Sequence, residues 1–155
     1  NYAWPDPLAL TAFRTLYPKA RVVLQVGPRA QALGSAKVAM AEEIARYRDG
    51  ITDVLIDMSG GRGVPIDPVK AREIIRTIRA AHPWLGVGIA GGLCAETLPA
   101  VADLVRAGVS VDAESAVRDG ADGGANLDLD KALAYVRIAG QLVCDKATPG
   151  VPEAP

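Results

Sequence analysis

The chain has 155 residues, of which 50% are hydrophobic, 23% charged and 5% aromatic, with 17 Lys and Arg against 18 Asp and Glu. This balance carries no electrostatic footprint for nucleic acid, and the apolar content is too high for a disordered chain. The longest apolar stretch, Trp84 to Ala95, is too short and too loosened by glycine to cross a bilayer as a helix.

This length allows one domain or part of a larger one. Cys94 and Cys144 lie far apart without a CxxC spacing, and His82 is the one histidine. Structural zinc usually takes four Cys or His ligands, so neither a metal nor another cofactor is expected. No basic start followed by an apolar core is seen, so no signal peptide is expected and the default expectation is a cytoplasmic protein.

In chain order, short runs rich in Val, Ile and Leu alternate with longer stretches of helical spacing. Asp6-Pro7 reads as an N-cap followed by Pro at the first helical position, opening a helix up to Tyr17. Arg21–Val26 is the first strand run. Met40, Ile44 and Tyr47 then form a helical stripe that ends at Asp49-Gly50. Thr52–Asp57 is the second strand run, and Asp67-Pro68 caps a helix whose stripe is Val69, Ile74, Ile75 and Ile78, stopped by His82-Pro83. Leu85–Ala90 is the third run, followed by a stripe of Leu98, Val101 and Val105 that ends at Gly108. Val109–Asp112 is the fourth run, and a last helix over Asp130 to Leu142 is expected to bury Leu133, Val136 and Ile138. Near-continuous apolar runs of this kind suit parallel strands buried on both faces, and their spacing suits one βα unit each. The domain is read as residues 1–145, with a Pro-rich disordered tail over 146–155.

In a βα series, chemistry collects where strands end. Val26-Gly27-Pro28-Arg29 reads as ordinary loop punctuation. Asp57 leaves its strand directly after Val-Leu-Ile, where partial desolvation gives a carboxyl the proton affinity that acid catalysis needs; it is equally read as a turn-capping residue. The glycines that follow, Gly60, Gly61 and Gly63, make a loop able to move over a ligand. Gly91 and Gly92 let a ligand approach the backbone and leave N–H groups for phosphate, with the next helix expected to add its positive end. Asp112 is placed to orient a substrate, and Ser115 with the neighbouring backbone N–H groups to bind phosphate. His82 reads as surface structure, Cys94 as a small packed residue, and Trp4 and Trp84 as packing residues.

Taken together, these pieces resemble the phosphoribosylanthranilate isomerase family, over about residues 50–140. The family's Leu-Leu-Asp strand end is similar to Leu55-Ile56-Asp57, and its Gly-rich loop and Phe-Asp-Trp step to Gly60-Gly61-Arg62-Gly63 and Ile66-Asp67-Pro68. Its Ala-Gly-Gly-Leu segment is matched by Ala90-Gly91-Gly92-Leu93, and its Val-Asp-Val-Ser-Ser-Gly segment by Val111-Asp112-Ala113-Glu114-Ser115-Ala116. Its closing Lys-Asp-x-x-Lys helix start resembles Leu127-Asp128-Leu129-Asp130-Lys131.

The resemblance implies an Amadori rearrangement of an aminoaldose phosphate to an aminoketose phosphate, a step of tryptophan biosynthesis. It implies that Asp57 is the acid, that Gly91, Gly92, Ser115 and Ala116 hold phosphate, and that Asp112 lies near the substrate. The family's base is a Cys in a Lys-x-Cys-Gly motif on the first strand, and this chain has no such motif. Glu114 and Ala116 also stand where the family has Ser and Gly.

The fold expected is the C-terminal half of a (β/α)8 barrel: the end of strand four, then strands five to eight with their helices. A complete doubly wound sheet is the structural alternative. Four or five parallel strands cannot close, so the expected partner is either a missing N-terminal half-barrel or a second copy in a homodimer. The functional alternatives are a phosphate-ligand-binding barrel without this activity, or another sugar-phosphate isomerase or epimerase. No nucleic acid or membrane partner is expected.

Overall fold

The computed structural model describes residues 4–27, 37–57, 59, 64–120 and 124–145. The order is α1 (Pro7–Leu16), β1 (Val23–Val26), α2 (Lys37–Ala45), β2 (Asp53–Asp57), α3 (Pro68–Ala81), β3 (Gly86–Ala90), a 3-10 turn over Leu98–Val101 leading into α4 (Ala102–Arg106), β4 (Ser110–Val111), a second 3-10 turn over Ser115–Val117, and α5 (Leu129–Cys144). All strands are parallel and lie in sequence order β1-β2-β3-β4. The chain is therefore a mixed α/β protein built on a four-stranded parallel sheet.

Local chemistry accounts for the helix boundaries. The Asp6 carboxylate accepts from Leu8 N at 2.9 Å, and Asp67 accepts from Val69 N at 2.9 Å and Lys70 N at 3.2 Å. Both helices carry Pro in the first turn, where no N–H is needed. Asp128 caps α5 through Lys131 N at 3.1 Å. Gly108, at φ +81°, ends α4 in a conformation that favours glycine.

Sheet register separates the two faces. Leu24, Val54 and Val87 align on one face, as do Val26, Ile56 and Ile89, and all six are buried. They share one apolar core with Met40, Ile44 and Tyr47, with Ala71, Ile74, Ile75 and Ile78 of α3, and with Leu98, Val101 and Val105. Right-handed crossovers between neighbouring parallel strands in sequence order put the connecting helices on one side of the sheet. The other face carries Val23, Gln25, Leu55, Gly88 and Ser110; Val23 is 55% exposed, and Gln25 and Ser110 are also exposed. The expectation of strands buried on both faces thus holds for the central strands β2 and β3, where Asp53, Asp57, Gly88 and Ala90 on this face are buried, and is corrected for the edge strands β1 and β4. Gln25 inside the apolar run is the residue that marks the open side of β1.

Three other expectations are corrected. Val69 is 67% exposed, because it sits in the first turn of α3 on the side away from Ala71 and Ile75. On α5, Leu133 and Val136 face outward, and the buried residues are Tyr135 and Leu142, with Ile138 partly buried. His82 is buried, not superficial: its Nε2 lies 2.8 Å from Ala41 O, tying the end of α3 to α2. Trp4 packs edge-on against Tyr47, whereas Trp84 is partly exposed under Arg48. The expected glycine loop Gly60, Gly61 and Gly63, the Arg29 loop and the tail over 146–155 lie outside the described residues. No helix among the described residues is long and apolar enough to cross a membrane.

Candidate functional site

The strand ends on the open side converge on Asp57. It is the last residue of β2 and is 4% exposed. Gln25 Nε2, from β1, donates to its Oδ2 at 2.9 Å. Ser59 donates twice to its Oδ1, from the backbone N–H and from Oγ, each at 2.9 Å. Asp57 aligns with Ala90 in the register, so the residue after β3, Gly91, falls beside this cluster. A Cβ on Gly91 would lie 3.4 Å from Ser59 N and 3.5 Å from Ser59 Cβ. These donors fix the orientation of a carboxyl whose two neighbours are the open strand β1 and a glycine turn.

Gly91 and Gly92 are both required as glycine. Their φ angles are +116° and +56°, and no non-glycine residue among those described has a positive φ. Among the described residues, the N–H groups of Gly91, Gly92, Ser115 and Ala116 meet no hydrogen-bond acceptor. The two loops follow neighbouring strands, β3 and β4, and Asp112 N donates to Ile89 O at 2.9 Å to hold them together. Four N–H groups on adjacent strand ends are donors suited to an anion.

The helix end expected behind Gly92 is not there. The chain turns first: Thr97 Oγ1 donates to Gly92 O at 3.2 Å and accepts from Cys94 N at 2.9 Å, and the 3-10 turn begins only at Leu98. Donation to an anion at this loop therefore rests on the backbone turn, with no α-helix dipole directly behind it. Ala116 has no positive φ, so alanine fits the backbone it occupies. Glu114 is exposed to solvent and reaches Arg118 at 3.8 Å.

Asp112 is exposed just beyond β4. Its charge adds to burial in pushing the Tyr135 phenol well above the usual range. The Tyr135 hydroxyl has no hydrogen-bond partner among the described residues. At the opposite ends of the strands, Asp53 is paired in bidentate fashion with Arg21 and accepts from Thr52, and these bonds hold its carboxyl below the usual range despite burial. Gly86 leaves room for this pair, since a Cβ there would overlap Asp53 Oδ1. Cys94 and Cys144 are free thiols.

Of the sequence-derived site residues, the structure brings Asp57 and Gly91 together, with Gly92 next in line, and puts Asp112, Ser115 and Ala116 on the neighbouring loop. Gln25 and Ser59 were missed as partners of Asp57. Gln25 was legible as the polar residue in Val-Val-Leu-Gln-Val, whereas Ser59 had no signal beyond standing two residues after the Asp. No protein-family model, curated protein or solved structure matches this chain.

Proposed function

We propose that the sheet is the C-terminal half of a (β/α)8 barrel and that its mouth binds a phosphorylated sugar for an Amadori-type isomerisation, as in the phosphoribosylanthranilate isomerase family. The strand order supports the barrel half: it runs β1 to β4 with no reversal, unlike a doubly wound sheet, and only one face is sealed by helices. The observation that carries the ligand class is the set of backbone N–H groups at Gly91, Gly92, Ser115 and Ala116 without acceptors on adjacent strand ends. Phosphate sites of such barrels are frequently formed after the last two strands.

In this reading Asp57 gives its proton to the sugar ring oxygen as the ring C–O bond opens, and a base outside these 155 residues removes the proton from the adjacent carbon. Gln25 and Ser59 keep the carboxyl aimed at the mouth. Asp112 orients the sugar hydroxyls. The test is turnover of an aminoaldose phosphate by the full-length protein carrying this sequence. Asp57→Asn is expected to lower kcat by about 10²–10⁴-fold with the fold retained. Unchanged turnover in that variant removes Asp57 from the reaction. Phosphate binding without any turnover favours a binding barrel that lacks the chemistry.

A further inference from the structure

Tyr135 carries a hydroxyl for which the fold offers no partner. The residue is 9% exposed on α5, and its buried oxygen meets no donor or acceptor among the described residues. Buried polar groups are nearly always bonded, and one left alone in a folded chain calls for a reason. Phenylalanine would fill the same space without burying an unmet O–H, so packing does not account for the hydroxyl. The other buried atom of this kind among the described residues, Arg14 Nε, belongs to a guanidinium that already donates to Ile51 O at the opposite ends of the strands.

The place of Tyr135 in α5 relates it to the candidate anion loop. The core face of the helix carries Ala132, Tyr135, Ile138, Ala139 and Leu142. Lys131 and Asp128, one and two turns earlier, are tied to the 3-10 turn over Ser115–Val117 and the residue after it. Asp128 N donates to Val117 O at 3.0 Å, and Lys131 Nζ donates to Arg118 O at 2.9 Å. The helix packs against that turn. Helical side chains lean toward the helix N-terminus, so the Tyr135 ring leads back toward Ser115 and Ala116. The turn itself is lightly held, by Val117 N to Glu114 O at 3.3 Å and Arg118 N to Ser115 O at 3.2 Å. Burial and the Asp112 charge keep the proton on the phenol, so at neutral pH it is a neutral donor.

We infer that the Tyr135 hydroxyl is a further donor to the phosphoryl group received by the amides of Gly91, Gly92, Ser115 and Ala116, reaching it from behind the Ser115–Val117 turn. A phosphoryl group offers only acceptors, and Asp112, the acid nearest the phenol by its effect, would repel it. A protonated phenol supplies a bond without adding charge of either sign. In the free protein the O–H is unmet, and the ligand meets it. The hydroxyl therefore gives nothing to the stability of the free fold and adds affinity for the ligand, whereas a tyrosine kept for structure does the reverse. The assignment rests on the phosphate-site reading but not on the proposed reaction, and its test does not measure turnover.

The test is calorimetric titration of the full-length protein carrying this sequence with ribose 5-phosphate and with inorganic phosphate, together with the melting temperature measured without ligand. Tyr135→Phe is expected to weaken both ligands by a similar factor, about tenfold or more, and to melt at the parent temperature or above it. Val136→Gln, at the next position and 65% exposed, is expected to bind both ligands as the parent does. Parent-like affinity in Tyr135→Phe overturns the assignment. So does a loss confined to ribose 5-phosphate, which would put the hydroxyl on the sugar, or a lower melting temperature without ligand, which would make it part of the fold. Each of these three results leaves the phosphate site standing. Binding of neither ligand by the parent protein refutes the phosphate site itself, and the role of Tyr135 with it.

Discussion

Gly91→Ala isolates the backbone of the candidate anion loop. At φ +116° an L-residue is strained, and holding a residue in so sparsely populated a region costs about 1–3 kcal/mol. The new methyl adds little to this cost, since its nearest neighbours, Ser59 N, Ser59 Cβ and Val64 O, lie at 3.4–3.5 Å, in ordinary contact. The loss is therefore conformational, and for a chain of this size it corresponds to about 2–4 °C of melting temperature per kcal/mol. Gly27→Ala is the control: it directly follows β1, has no positive φ, and a Cβ there meets nothing within 4 Å. Urea denaturation of both variants is expected to separate them by at least about 1 kcal/mol, with Gly27→Ala within about 0.5 kcal/mol of the parent. Equal stability of the two variants would refute the positive-φ geometry on which the unpartnered N–H groups of this loop depend.

Three further outcomes follow from other parts of the molecule. Asp53 titrates below its unfolded value in the folded chain, so the Arg21 pair stabilises the fold above about pH 4 and that contribution is lost as the pH falls through the depressed value; Arg21→Ala is expected to shift the acid unfolding midpoint upward, read by fluorescence against pH. Asp67→Ala removes an acceptor from two N–H groups at the start of α3, and is expected to cost about 1 kcal/mol in urea denaturation. Tyr135→Phe removes a buried hydroxyl with no partner among the described residues, so thermal unfolding is expected to show equal or higher stability; a loss above about 1 kcal/mol would mean that the hydroxyl is bonded.

The strand runs and most helix boundaries were legible because their signals are local. Asp6-Pro7 and Asp67-Pro68 start helices by chemistry that needs no tertiary contact, and glycine at 91, 92 and 108 announces turns that other residues resist. What was not legible depends on which surface is covered. Leu133 and Val136 have the same composition and spacing as a buried stripe, and only the packing of Tyr135 and Leu142 decides which side of α5 faces the sheet. His82 beside a Pro looked like a surface helix end, yet the carbonyl of Ala41 gave its ring a buried partner. At the site, Asp57 and the two glycines stood out by position at strand ends. Ser59 did not, because its role arises from the turn that folds it back onto the Asp57 carboxyl.

If the loops after β3 and β4 form one phosphate site beside Asp57, amide-resolved NMR titration with a ribose 5-phosphate-type sugar phosphate will show it. The amide signals of Gly91, Gly92, Ser115 and Ala116 are expected to shift together with a single dissociation constant, and the unphosphorylated sugar is expected to leave them in place. Shifts confined to other surfaces, or none at saturating ligand, would contradict it.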